Sequence, residues 1–168
     1  MNMKRLHKDQ RGLTIIGLLV IIVLTGLITA AVTTTFFQVF DMNTRTANHM
    51  SALSQVQQAG KLVSEDILEA QPDMIDDSPP GPEEFFILGW NSTPTREVTY
   101  TLEDGELWRS ETIGGGAATT TRVAEYIDSD PTKTYCNWNS DVFIFTVTAT
   151  VGEESEQRIY RVQPRSGT

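Results

Sequence analysis

The chain has 168 residues, 39% of them hydrophobic, with thirteen Lys and Arg against twenty-two Asp and Glu. This length suits one domain plus an appendage, and the single cysteine, Cys136, excludes an intrachain disulfide and a thiolate metal cluster. The charge is split along the chain. Residues 1–12 hold Lys4, Arg5, Lys8 and Arg11 with only Asp9 opposing them, which leaves nine basic and twenty-one acidic residues beyond. That later part therefore carries a formal −12 and disfavours a nucleic-acid phosphate backbone as partner, since such binding rests on Lys and Arg. It reads as a soluble, self-repelling surface.

From Leu13 to Phe40 there is no Asp, Glu, Lys, Arg or His over 28 residues. A helix crosses a bilayer core in roughly 20 residues. The basic segment before the run predicts that residues 1–12 stay on the cytoplasmic side and the rest is exported. An ordinary secretory signal has an apolar stretch of about 7–15 residues followed by a small-residue cleavage site. Thr29-Ala30-Ala31 offers such a site near Ala31, an alternative that the length of the run argues against.

The junction Lys8-Asp9-Gln10-Arg11-Gly12-Leu13-Thr14-Ile15-Ile16-Gly17-Leu18 resembles the leader of type IV prepilins and pseudopilins. The resemblance implies cleavage between Gly12 and Leu13 by a prepilin peptidase and N-methylation at Leu13. It also implies other pilins or pseudopilins and an inner-membrane assembly platform as partners. Localisation would be that of a single-pass inner-membrane protein with an extracytoplasmic head, incorporated into a filament. One position departs from the family. Its fifth mature residue is usually Glu, thought to pair with a neighbouring subunit's N-terminus, and here it is Gly17. That departure suits a minor rather than a major subunit.

Residues 13–40 are thus expected as a transmembrane and assembly helix. Gly26 and Thr33-Thr34-Thr35 are weak helix formers that a bilayer helix tolerates. Residues 41–71 contain no Pro. Leu53, Val56, Gly60, Val63, Ile67 and Ala70 recur every three or four positions, which predicts an amphipathic continuation of the same helix up to Pro72. The Glu65-Asp66 pair is expected on its solvent face. Residues 72–84, with four Pro, read as a loop. Asp73, Asp76 and Asp77 are weak calcium candidates there, because calcium favours carboxylate oxygens, but they fit no loop motif.

Residues 85–168 switch to a period of two and read as a β-sheet head. Strands are expected at 85–90, at 98–102 with an Asp104-Gly105 hairpin turn into Leu107 and Trp108, at 123–127, at 141–151 and at 157–162. Gly114-Gly115-Gly116 lacks the Lys-Ser/Thr of a phosphate loop and reads as a turn. The predicted fold is α+β, a long N-terminal helix packed on an antiparallel sheet. The order Val98-Thr99-Tyr100-Thr101-Leu102 through Gly105-Glu106-Leu107-Trp108-Arg109 is loosely similar to a hairpin of the J-type minor pseudopilin and W-type minor pilin group. Val123–Ile127 and Tyr160–Arg165 compare with later strands of that group.

No catalytic or cofactor-binding constellation emerges, and no cofactor is expected. His7 lies in the leader, and His49 stands alone on the helix as a surface residue. Glu83-Glu84 and Glu153-Glu154 are sequence neighbours, whereas paired-carboxylate hydrolysis needs two groups facing one cleft. Trp90, Trp108, Trp138, Tyr100 and Tyr135 suit sheet core and cross-strand packing. Cys136 reads as buried, with an intermolecular bridge as the alternative. Two readings remain: a structural filament subunit that is not an enzyme, and a membrane-tethered binding module using a prepilin-type export signal. The absence of any linker before residue 72 favours the first.

Overall fold

The computed structural model describes residues 15–78, 84–139 and 141–165. Gly12, Leu13 and Glu83 lie outside them. One helix, α1, runs uninterrupted from Ile15, the first described residue, to Glu69, two residues short of the predicted end. The chain divides into two compact units, up to Asn43 and from Thr44 onward.

In the first unit α1 exposes apolar side chains all round, including Leu19, Ile22, Leu27, Phe36 and Phe40. It is long and apolar enough to cross a membrane. Its threonines do not disrupt it, because each hydroxyl donates to the carbonyl one turn earlier. Thr25 bonds Ile21 at 2.7 Å, Thr29 bonds Thr25 at 2.8 Å, and Thr33, Thr34 and Thr35 bond Thr29, Ala30 and Ala31 at 2.8, 2.7 and 3.0 Å. These hydroxyls are satisfied within the helix, which removes the cost of carrying them into hydrocarbon. Gly17 lies in the first turn of the described helix.

In the second unit the same helix buries a stripe of small residues, Ala52, Val56, Ala59, Gly60, Val63 and Ile67, with Ala70 just beyond its end. Val56, Gly60, Val63, Ile67 and Ala70 lie in it as predicted; Ala52 and Ala59 join them, and Leu53 is only partly buried. Among the described residues eight strands follow in two antiparallel sheets. The first sheet has the order β1 (Ile75–Asp76), β2 (Glu84–Trp90), β3 (Arg96–Glu103), β4 (Glu106–Ile113) and β5 (Thr119–Ala124). The second has β6 (Tyr135–Asn139), β7 (Val142–Val151) and β8 (Glu154–Val162). The α+β class is as predicted, but the head holds two sheets rather than one.

The turns follow the sequence. Asp104 and Gly105 have φ of 49° and 78°, as a two-residue type I′ turn between β3 and β4 requires. Gly152, at φ 60°, opens the β7–β8 turn. The expected strand at 123–127 is cut short, because Tyr126 takes φ 59° and turns the chain. Glu125 N–H donates to Gln55 Oε1 at 2.8 Å instead of to a strand. Ile127 N–H reaches Gly105 O in the first sheet at 2.8 Å, and Ile127 bridges to Ala149 in the second. This crossing splits the head. Strands β1 and β6 were not anticipated. The first is two residues long, and the second presents only Cys136 and Trp138 inward, opposite Phe145 and Phe143.

The sheets meet through aromatic rings. Phe86 of β2 stacks on Tyr100 of β3 at 4.6 Å and lies 5.2 and 6.1 Å from Phe143 and Phe145 of β7. The helix approaches the second sheet most closely at Gly60. A Cβ there would fall 1.9 Å from Cζ of Tyr160, whose hydroxyl donates to Val56 O at 3.0 Å. Helix propensity alone would make Gly60→Ala stabilising by about 1 kcal/mol. The overlap with the Tyr160 ring reverses the sign, at a cost of about 1–3 kcal/mol. Thermal unfolding of the full chain in detergent is therefore expected to show a lower midpoint for Gly60→Ala, and an unchanged or raised midpoint would contradict this packing.

Candidate functional site

The densest polar cluster in the head is centred on Asp66. Tyr100, Arg109 and Glu111 reach it because β3 and β4 turn alternate residues inward. The register pairs Tyr100 with Arg109 and Val98 with Glu111, all on the face toward the helix, and Arg96 sits two residues before Val98. On α1, Asp66 lies three residues after Val63 and beside Ile67, inside the buried stripe.

Asp66 is 5% exposed. Its Oδ2 accepts from Tyr100 OH and from Arg109 Nε, each at 2.7 Å, and its Oδ1 accepts from Arg109 Nη2 at 3.2 Å. This is the two-pronged guanidinium–carboxylate arrangement, stronger and more directional than a single contact. Arg109 Nη1 also donates to Glu111 Oε2 at 2.9 Å. Arg96 donates through Nε to Glu111 and through Nη1 to Glu69 at 3.1 Å, and its guanidinium lies 4.3 Å from the Trp90 ring centre. The Glu65-Asp66 expectation is therefore half corrected. Glu65 is exposed beside Lys61, whereas Asp66 is buried. Its helical spacing from Val56, Val63 and Ile67 carried the signal.

Burial pushes the Tyr100 phenol well above its ordinary value, and the Asp66 carboxylate adds to the effect. The hydrogen bond from Arg109, chiefly, holds Glu111 below the usual carboxylate range. Both oxygens of Asp66 are already engaged, so the cluster presents no open acid, base or nucleophile. Its chemistry is cohesion, fastening helix to sheet.

The remaining candidates stand apart. Asp73 is exposed. Asp76 Oδ1 accepts from Ser78 N at 2.9 Å, and Asp77 Oδ2 accepts from Trp138 N at 2.7 Å, so these two carboxylates organise the loop and tie it to β6. Among the described residues no three His, Cys, Asp or Glu side chains converge as a metal site. His49 Nδ1 lies 3.0 Å from Glu156 Oε1, a partner the sequence did not indicate. Cys136 is half-buried, and its thiol is pushed up to about 12 by burial and then by the charge of Asp77, which keeps it protonated and unreactive. Tyr100 and Trp90 are core, Trp108 and Trp138 are half-buried, and Tyr135 is exposed. The cleft between α1 and β5, lined by Gln55, Gln58, Arg122 and Glu125, encloses about 170 Å³, below the roughly 300 Å³ at which small-molecule sites begin. No family model, curated protein or solved structure matches this chain.

The Asp66 cluster and Cys136 set the pH range of the head. Glu111 contributes stability above the unfolded carboxyl value of about 4.3, and the contribution is lost as pH falls through its lower folded value. Tyr100 contributes below the unfolded phenol value of about 10, and that contribution is lost as pH rises further. Unfolding free energy in detergent is expected to be level from the carboxyl limit up to the unfolded thiol value of about 8.5, to fall above it as first Cys136 and then Tyr100 lose their contributions, and to fall below the carboxyl limit. Asp66→Ala, which leaves Arg109 and Tyr100 buried without their acceptor, is expected to lower the plateau by about 3–5 kcal/mol. A loss below about 1 kcal/mol, the range of an exposed ion pair, would contradict this reading.

Proposed function

We propose that this chain is a minor pilin or pseudopilin, a low-copy structural subunit of a type IV pilus or type II secretion-like filament, placed at or near an initiating end. The observation that carries the reading is the continuous helix Ile15–Glu69, apolar and exposed in its first part and buried in the β-sheet unit in its second. A tethered binding module or enzyme needs a flexible segment between anchor and domain. The helix passes from one part to the other without a break. A subunit that packs through its helix needs that continuity, because the load between core and head travels along it.

The leader supplies the route. Lys4, Arg5, Lys8 and Arg11 keep the N-terminal end in the cytoplasm. Prepilin peptidase cuts between Gly12 and Leu13 and leaves the apolar helix on the mature protein, with the head outside the inner membrane. Other pilins or pseudopilins and the assembly platform are the partners on this reading. Gly17 sets the copy number. Head-to-tail assembly is heterologous and open-ended, so every internal subunit of a homogeneous filament benefits from the same carboxylate opposite the next N-terminus. An ammonium left unpaired in an apolar core costs on the order of several kcal/mol. A run of Gly17 subunits carries that cost at each junction, and one subunit at an end does not.

Intact mass of the protein extracted from its own membranes is expected to match a chain beginning at methyl-Leu13. A start near Val32 would overturn the proposal, since the assembly helix would be gone.

A further inference from the structure

The nine basic residues that follow the apolar run are not used alike. Six pair with carboxylates inside the head: Arg45 with Glu153, Lys61 with Glu65, Arg96 with Glu111, Arg109 with Asp66, Arg122 with Glu106 and Lys133 with Asp128. Among the described residues the other three, Arg158, Arg161 and Arg165, have no carboxylate partner. All three are exposed and lie on β8 or just past its end. Among the described residues, a part of the chain with twenty-one acidic side chains thus leaves its cations without carboxylate partners on β8 and the three residues that follow it.

That strand is an edge. The second sheet has the order β6-β7-β8, so β8 pairs with β7 and, among the described residues, no strand takes its other side. Ile159 stands between two of the arginines and is 49% exposed. Of the acids earlier on the same hairpin, Glu153 and Glu156 are drawn back toward the helix by Arg45 and His49, and Glu154 sits at the far end of the strand from Arg161. The C-terminal half of β8 is therefore an edge that carries a guanidinium on each face, Arg158 on the face of Tyr160 and Arg161 with Ile159 on the opposite one.

We infer that this edge of β8, with Arg158, Ile159, Arg161 and Arg165, is a docking surface for an acidic, extended segment of a different protein chain. Each element has its counterpart in such a segment. The edge supplies main-chain donors and acceptors for an added strand. The guanidiniums match carboxylates in a fork geometry that lysine does not offer. Ile159 gives the contact a dry centre. A nucleic acid fits less well, since three cations on a head of net −12 provide little counterion release. A second copy fits less well, because it brings a whole head of net −12 against another, whereas a single extended segment meets only the cationic edge. The surface is independent of how the N-terminus is processed.

The test places a photo-reactive amino acid at position 159 of the full chain, expressed in its own cells. The expected product is a cross-link to one other polypeptide, through a contact peptide rich in Asp or Glu. Arg158→Glu/Arg161→Glu is expected to cut the yield about tenfold or more, with the thermal midpoint unchanged because neither arginine has a partner to lose. Reversing the partner's contacted carboxylates to Arg is expected to restore the yield. A yield no higher than from the same label at Thr99, or a cross-link to lipid, to nucleic acid or to the chain itself, would overturn the inference. So would a yield indifferent to the charge reversal.

Discussion

One helix has to satisfy two surroundings in succession, and the rest of the molecule is arranged around that constraint. Up to Phe40 it exposes apolar side chains all round, and its threonine hydroxyls are bonded to its own backbone. From Thr44 on, only a narrow stripe is apolar, and that stripe consists mostly of small side chains. Small residues let the sheets approach closely. At Gly60 the Tyr160 ring occupies the space a Cβ would take, and the Tyr160 hydroxyl reaches the Val56 carbonyl. A helix with large residues at these positions would hold the second sheet away and leave its aromatic rings short of contact.

Close packing of small residues resists sliding and rotation weakly, and the Asp66 cluster supplies the missing register. The Arg109 fork accepts Asp66 in one orientation, Tyr100 fixes the same oxygen from the neighbouring strand, and Arg96 extends the network to Glu69 one turn-length along α1. A buried ion pair adds little net stability over a well-packed apolar substitute. Its contribution here is geometric, fixing which helical turn meets β3 and β4. The aromatic contacts from Phe86 to Phe143 and Phe145 then set the second sheet against the first.

Much of this was legible in the sequence. The charge-free run, the stripe from Val56 to Ala70, the Asp104-Gly105 turn and the long apolar strand ending before Gly152 each carry a local signal of period or turn chemistry. The structure follows all four. What escaped was non-local. The split into two sheets depends on a left-handed Tyr126 and on Gln55 capturing the Glu125 amide, seventy residues apart. Strand β6 reads Tyr-Cys-Asn-Trp-Asn, and only its register with β7 shows that Cys136 and Trp138 are the inward pair. Asp66 looked like solvated charge because its partners, Tyr100 and Arg109, are 34 and 43 residues away. Its position within the stripe was the clue, outweighed by the habit of placing acids outside. Gly12 and Leu13, where cleavage and methylation are expected, lie outside the described residues.

The proposed role joins these parts. A helix that is continuous from apolar span to sheet, and fixed in register to the head, suits a subunit whose head is positioned by how its helix packs among others. On the proposed role, glycine in place of a carboxylate at position 17 would limit how often such a subunit can repeat. The most direct measurement is the stoichiometry of this chain in purified filaments, counted against the main subunit by quantitative mass spectrometry. The account predicts a few copies per filament, together with fewer filaments when the chain is deleted. Finding it as the predominant repeating component would contradict the account.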